Sequence, residues 1–424
     1  MNKSSVFWYE QKEPSVATPL AGNVEVDVVV VGGGMAGLSA AGRLIDAGKK
    51  VALVEQHFCG AGASGKTSGF ITPDSEIELS ALIEQHGPEK AKKIWEFVLS
   101  GVEVIRSNIE QNKISCDYEV QDSFFIGVTE SGMKHVRGEH EARKELGYAS
   151  TLYDKKSVST AIGSDAYYGA VRYPNTFGMN SYLYCQAMRD ALVKKGVQIF
   201  ENTKVTKITG SGVEAASGSV TAKQVVVCCD RFIPDLGVLK NEIYHVQTFL
   251  GLSRPLTADE RKKIFPGDSL MVWDTNMIYN YFRLTGDNRL LIGGGDLAYT
   301  FAHDVSNNTD RFKHRLTAYI KSVFPSINWE LEFIWPGMLG VSKDLLPIMG
   351  EDAQFSNVWY LGAATGLPWA AALGQYAADR LLTGRNEFDA EFSWKRKFVL
   401  GPKVQALLST PVTYALSHGI TKYL

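Results

Sequence analysis

Residues Val28-Val29-Val30-Val31-Gly32-Gly33-Gly34-Met35-Ala36-Gly37 decide the fold. The segment from Asp27 to Val31 is so apolar and β-branched that it reads as a strand buried in a parallel sheet. Gly32 lets the chain turn sharply, Gly34 lets backbone approach a pyrophosphate, and Gly37 lets the next helix pack tightly on the strand. That helix carries Leu38, Ala41, Leu44 and Ile45 at helical spacing and stops near Gly48. A second strand, Val51 to Val54, delivers Glu55 to the place of an adenosine's ribose hydroxyls. A glycine turn alone is weak evidence. Strand, turn, helix, strand and acid in register point to a bound dinucleotide.

Outward from this motif, the 424-residue chain is too long for one ordinary core and is expected to form two domains. Hydrophobic residues make up 45% and charged residues 21%, a globular balance. The formal net charge of −2 gives no electrostatic case for nucleic acid. Five irregularly spaced cysteines imply neither a disulfide framework nor a zinc site, and they fit a reducing, cytoplasmic compartment. Cys59 reads as an inert buried thiol rather than a covalent cofactor link. The histidines show no metal-ligand spacing, so no metal is expected. The first 25 residues lack the pattern of a signal peptide. No run approaches the ~18 apolar residues of a membrane span.

Residues 1–25 read as an irregular arm carrying Phe7, Trp8 and Tyr9. The small residues from Cys59 to Gly69 permit close backbone approach to a flat or charged group. Pro88 opens a helix with Ile94, Val98, Val102, Ile105 and Ile109 on one face. Residues 119–128 read as a strand and 131–146 as a charged surface helix. Asn180 caps a helix over 181–195. Strands follow at Val197–Phe200, Val205–Ile208 and Val225–Cys229. Between 240 and 335 aromatic strands dominate: Val246–Leu252, Leu270–Trp273, Ile278–Leu284 and Arg289–Gly293, with a helix over 308–323. The turn Thr285-Gly286-Asp287-Asn288 joins the last two strands as a hairpin. Strand Val358–Leu361 then runs through Gly362 to Gly366 into a helix opened by Leu367 and Pro368, a second helix start able to face an anion or dipole. Pro402 and Pro411 break the tail into short helices at most. Its apolar stripe is expected to pack on the chain's own surface or on a partner subunit rather than on a membrane.

The order of these motifs resembles the flavin amine and D-amino-acid oxidase family, which includes glycine oxidase and sarcosine oxidase. The resemblance rests on the glycine fingerprint, Glu55, Gly62-Ala63-Ser64-Gly65-Lys66, the return ending at Cys228, Trp335-Pro336-Gly337, Asp344 to Gly350 and the glycine-opened last helix. Within the family, Tyr281-Phe282-Arg283-Leu284-Thr285 and Asp287 to Leu291 echo the γ-glutamylputrescine oxidase branch. The resemblance spans roughly residues 5 to 420. It implies an α/β fold (α+β overall): a Rossmann-like FAD-binding domain built from separated segments, plus a β-rich substrate-binding cap domain. The expected FAD domain is 1–85, 150–238 and 336–424, and the cap 86–149 and 239–335. It implies non-covalent FAD, with Gly32, Gly34, Met35, Ala36 and Gly37 at the pyrophosphate and Glu55 with Gln56 at the ribose. Ala63, Ser64, Lys66, Thr67, Ser68 and Gly69 would line the stretch from pyrophosphate to flavin, Val205 would meet the adenine, and Gly366 and Leu367 the flavin pyrimidine. Lys66, Thr67 and Pro368 depart from the family's usual residues.

On an extended strand Tyr279, Tyr281 and Arg283 share a face. Two aromatic walls and a guanidinium suit a small organic acid or aminoacyl group, because arginine grips a carboxylate by two parallel hydrogen bonds. The alternative for Arg283 is a cross-strand pair with Asp274 or a turn carboxylate. Gln247 is a candidate for the cavity wall, and Lys66 for polarising the flavin. Trp335 and Trp369 read first as core residues. The function expected is FAD-dependent oxidation of a C–N bond in a small amine or amino-acid-like substrate. Hydride passes to flavin, the imine is hydrolysed, and oxygen or another acceptor takes the electrons. The alternatives are a flavin-bearing subunit with little activity and an FAD-dependent hydroxylase. A homo-oligomer is compatible with the sequence.

Overall fold

The computed structural model describes residues 6–15, 18–74, 76–296, 300–301 and 309–423. Parts of the expected arm, and residue 308 of the expected helix, lie outside the described residues. The chain has a mixed α/β fold built around two large sheets. The first has the Gly22–Val31 strand at its centre, with Val51–Val54 and then Gln198–Phe200 on one side and Gly218–Val227 and Val358–Gly362 on the other. All these pairings are parallel, with Val31 opposite both Val54 and Val227. Val29, Val30 and Val31 are fully enclosed because helices cover the sheet, which is why this strand needs an unbroken valine run.

The helix expected after the glycine turn is present as the 12-residue Met35–Asp46. The Pro88–Asn112 helix follows its expected apolar stripe. Ile94 and Val98 share a core with Leu38 of the first helix and Leu373 of the Leu367–Thr383 helix. Gly101 makes this contact close, since a Cβ there would overlap the Pro368 carbonyl oxygen. Asn180 caps the Ser181–Lys194 helix by accepting from the Tyr182 and Leu183 amides.

The second sheet runs, in order, Leu331–Val341, Tyr244–Pro255, Arg289–Gly294, Tyr281–Leu284, Leu270–Asp274, Asp122–Gly127, Gly169–Tyr173 and Thr151–Tyr153. Its pairings are antiparallel except that Leu270–Asp274 lies parallel to Asp122–Gly127. Four sequence readings differ from what is found. The Leu331–Val341 strand was not anticipated; Pro336 is tolerated within it because the strand lies at the edge of the sheet. The strands Thr151–Tyr153 and Gly169–Tyr173, expected with the nucleotide domain, pair into this second sheet instead. The Pro88–Asn112 helix, expected with the cap, packs in the core of the nucleotide-binding layer. The Gly132–Leu146 helix is not merely a charged surface helix, since Glu139 and Arg143 are buried.

The N-terminal segment is also more ordered than an irregular arm. Phe7–Glu10 is helical, Trp8 is buried, and its indole donates to the Thr67 carbonyl at 2.9 Å. The tail forms two helices, Pro402–Leu408 and Thr410–Tyr423. Pro411 lies in the first turn of the second, where its missing amide removes no intrahelical bond, so that helix is longer than expected. Among the described residues, no helix is long and apolar enough to cross a membrane.

Candidate active site

The glycine turn and the second sheet face a common cavity of about 950 Å³, at the top of the ~300–1,000 Å³ range of small-molecule and cofactor sites. At one end, Gly32 (φ +108°) brings backbone against Cys228, and a Cβ on Gly37 would overlap the Gly32 carbonyl oxygen. The helix therefore starts directly at the turn, with Gly34, Met35 and Ala36 on the cavity wall. The Ser64 hydroxyl accepts from the Met35 amide at 2.9 Å, tying the second small-residue loop to the first. Glu55 accepts from the Gly33 amide at 2.7 Å and the His57 amide at 2.9 Å. Burial pushes its carboxyl pKa up, while the two amides favour its charged form.

Gln56 and Val205 line the same end, and Ala63, Ser64, Lys66, Thr67 and Ser68 continue the wall. Burial, with a smaller contribution from Arg231, lowers the Lys66 pKa. The second helix start closes the path: Gly366 (φ +114°) and Leu367 line the cavity, and Pro368 falls in the first turn. Asp230 braces this turn by accepting from the Ala363 amide at 3.0 Å and the Gly340 amide at 2.7 Å. The Thr365 hydroxyl, buried on the wall, has no hydrogen-bond partner among the described residues. This cradle fits a dinucleotide carrying a flat ring. Glycine admits backbone at both helix starts, a carboxylate stands at the ribose position, and an orphaned hydroxyl lies beside the second start.

Two expected cofactor residues do not line the cavity. Gly37 is needed for packing, and Gly69 (φ +70°) for the close approach of its backbone to the Met179 carbonyl. Trp335 and Trp369 are likewise core residues. The Trp335 indole holds the Lys66 carbonyl at 3.1 Å, and Trp369 packs among Phe97 and Phe392.

The other end of the cavity is aromatic and acidic. Tyr279, Tyr281 and Gln247 line it as expected, together with Phe70 and Trp273, which sequence reasoning passed over as site residues. Burial raises both tyrosine pKa values, that of Tyr281 to about 12, so both stay neutral phenols. Asp74, Glu76 and Glu78 also line this end. The Tyr279 hydroxyl donates to Glu76 Oε1 at 2.8 Å, and Lys422 Nζ stands 3.6 Å from Glu76 Oε2. Arg143 Nη2 donates to both Asp74 oxygens at 2.8–2.9 Å while its Nε lies 3.0 Å from Glu139, and the Tyr173 hydroxyl also donates to Asp74. Burial raises the carboxyl pKa of Asp74 and Glu78. The alternation Asp74-Ser75-Glu76-Ile77-Glu78 was the available signal for this cluster.

Arg283 is the main correction. It is fully buried but does not line the cavity. Its guanidinium donates to the carbonyls of Ser68 (2.8 Å), Met179 (2.8 Å) and Leu284 (2.9 Å). Strand parity identified a face; the long stem carries the charged group past that face into a backbone junction. Asp274 is not its partner; of the carboxylates, Glu119, Asp117 and the turn's Asp287 act on it through charge, while its hydrogen bonds go to the three carbonyls.

The family model described as FAD dependent oxidoreductase matches residues 27–380. A probable oxidoreductase, OrdL, of Haemophilus influenzae is 26% identical over 98% of this chain and 97% of its own. Gamma-glutamylputrescine oxidoreductase of Escherichia coli is 26% identical over 87% of this chain and 86% of its own. Among solved structures, glycine oxidase of Geobacillus kaustophilus superposes with TM-score 0.74 at 21% identity, over 88% of this chain and 99% of that one.

Proposed function

The chain belongs to the FAD dependent oxidoreductase family, and from that premise we propose that it oxidises a C–N bond of a small amine whose substrate group is cationic rather than carboxylate-bearing. One observation carries the reading: the cavity that begins at the glycine turns ends at Asp74, Glu76 and Glu78 among Phe70, Trp273, Tyr279 and Tyr281. Arg143 and Lys422 offset two of the four carboxylates Asp74, Glu76, Glu78 and Glu139; the remaining negative charge attracts an ammonium, and the aromatic faces add cation–π attraction. Arg283, the residue expected to favour a carboxylate, is engaged elsewhere. Likeness to a relative named for γ-glutamylputrescine supports a substituted diamine as the first substrate to try, with its terminal ammonium, and not the carboxylate at its far end, as the group read at the acidic end of the cavity.

FAD, when bound, supplies an acceptor for a hydride from the carbon beside the nitrogen. The chain supplies the rest. Glu76 and Glu78 draw the ammonium to the aromatic end, and their carboxylate oxygens are placed to take its proton, leaving the amine lone pair available. Burial raises the Glu78 pKa, which makes its carboxylate a stronger proton acceptor when it is ionised. The aromatic walls exclude water until the imine leaves and is hydrolysed. Lys66 and the second helix start, its turn braced by Asp230, would offer positive charge and helix dipole to the ring of a bound flavin. Oxygen or another carrier takes the electrons. The two sheets are taken as the two domains, with Asp122–Gly127, Thr151–Tyr153 and Gly169–Tyr173 in the cap.

The test is an anaerobic panel of monoamines, substituted diamines and α-amino acids, read by bleaching of the flavin band. Bleaching by amines is expected, and Glu76→Gln with Glu78→Gln should weaken the apparent affinity for cationic substrates about tenfold, the loss of about 1.4 kcal/mol. Bleaching by α-amino acids alone overturns the substrate class. No bleaching by any member favours a flavin-bearing protein of little activity.

A further inference from the structure

The last two helices and the segment before them leave an outer face that no described residue covers. Val399, Val404, Leu407, Leu408, Val412 and Leu416 are all exposed, Leu407 at 84% and Val399 at 73%. Most exposed large aliphatic side chains of the described residues thus fall within this short stretch. Such concentration marks an interaction surface rather than scattered surface hydrophobes.

Its charge is one-sided. After Glu391 the sequence contains no acidic residue, whereas Lys395, Arg396, Lys397, Lys403 and Lys422 follow. Two of these cations face inward: Arg396 binds Asp344 and the Leu346 and Pro347 carbonyls, and Lys422 pairs with Glu76. Lys395, Lys397 and Lys403 are exposed beside the apolar residues. The rest of the chain is acidic enough to bring the total to −2, so this basic patch is local.

The inner face is anchored, which keeps the outer face presented. Tyr414 is fully buried and its hydroxyl donates to the Asn241 carbonyl at 3.2 Å. His418 Nε2 lies 2.8 Å from the Ser342 carbonyl oxygen, and Gln85 donates to the Thr421 carbonyl at 2.7 Å. Val412 and Leu416 stand one turn apart on the opposite side from these anchors.

We propose that the Val399–Leu416 face docks on an anionic lipid surface, lying in the interface rather than crossing it. Exposed aliphatic side chains in a stretch that carries three exposed lysines and no acid of its own are complementary to anionic headgroups over an acyl boundary; Glu242 and Asp344, the acids that act on Tyr414, stand on the anchored inner side. A second copy of the chain is the poorer occupant, because lysine is depleted at protein–protein interface cores and two copies of this patch would face each other with like charge. The same Thr410–Tyr423 helix lines the cavity through His418 and Lys422, so docking sets the active-site cavity beside the lipid surface.

The experiment is co-sedimentation of the full-length flavoprotein with vesicles of phosphatidylglycerol and phosphatidylcholine, compared with phosphatidylcholine alone, at low and high salt. Binding only to the anionic vesicles, weakened by salt, is expected. Lys395→Gln, Lys397→Gln and Lys403→Gln together should lower the vesicle partition coefficient by roughly two orders of magnitude. Leu407→Ser with Leu416→Ser should lower it as well. These positions are exposed, and unchanged flavin absorbance and melting temperature confirm that the variants are folded. Absence of binding to anionic vesicles overturns the proposal. So does reversible self-association in solution that Leu407→Ser and Leu416→Ser abolish, which assigns the face to a second copy. Neither result bears on the amine-oxidation reading, which is judged by flavin bleaching.

Discussion

Arg283 shows how far a single residue's position can be read. Its place on the strand was legible, and its partner was not. The guanidinium joins three stretches of chain, at Ser68, Met179 and Leu284, and burial lowers its pKa to about 10. Arg283→Lys keeps the charge but cannot reach three carbonyls from a planar fork. It should destabilise the fold by about 2–4 kcal/mol, mostly from buried carbonyls left unpaired. Urea unfolding reads the loss, and KM should change alike for every substrate. A KM rise confined to carboxylate-bearing substrates returns Arg283 to the substrate. Asp74, Glu76 and Glu78 failed to stand out for the opposite reason: acids near a helix start look solvated until the fold is known to bury them.

At the scale of elements, periodicity served well where one face meets one core. The Pro88–Asn112 helix and the Asn180 cap needed only local sequence. The Leu331–Val341 strand depended on edge placement, which no local pattern encodes. The Thr410–Tyr423 helix carries a pH dependence of its own. His418 is buried, and burial takes its pKa from 6.5 to about 4. Between those values the unfolded chain binds a proton that the folded chain does not. Stability is therefore full above pH 6.5, falls as pH drops through the window, and is lost below about 4, a total of about 3 kcal/mol. Hydrogen exchange of the helix at pH 7 and pH 5 should show loosening at the lower value, and His418→Gln should flatten the dependence. Equal protection at both values shows that the imidazole does not govern the helix.

Across the whole molecule, the cavity draws walls from residues as distant as Gly32, Val205, Tyr281 and Leu367. A ligand that touches all of these binds the folded chain alone. FAD at a hundred times its Kd should raise the unfolding free energy by about 2.7 kcal/mol over the stripped protein. Paired urea titrations read this; no difference means that FAD is not held by the assembled cavity. The strand, glycine turn and helix that open the cavity were legible in the sequence because their geometry is set by local backbone. Glycine spacing, a valine strand and one acid determine a turn within some thirty residues, and Val28 to Glu55 contain all of it. The substrate half depended on tertiary structure. Asp74, Tyr279 and Lys422 are far apart in sequence and meet only when two sheets and a terminal helix close on one another. Which side chain enters that space, and which, like Arg283, turns to bind backbone, depends on long-range packing and on where buried carbonyls need donors.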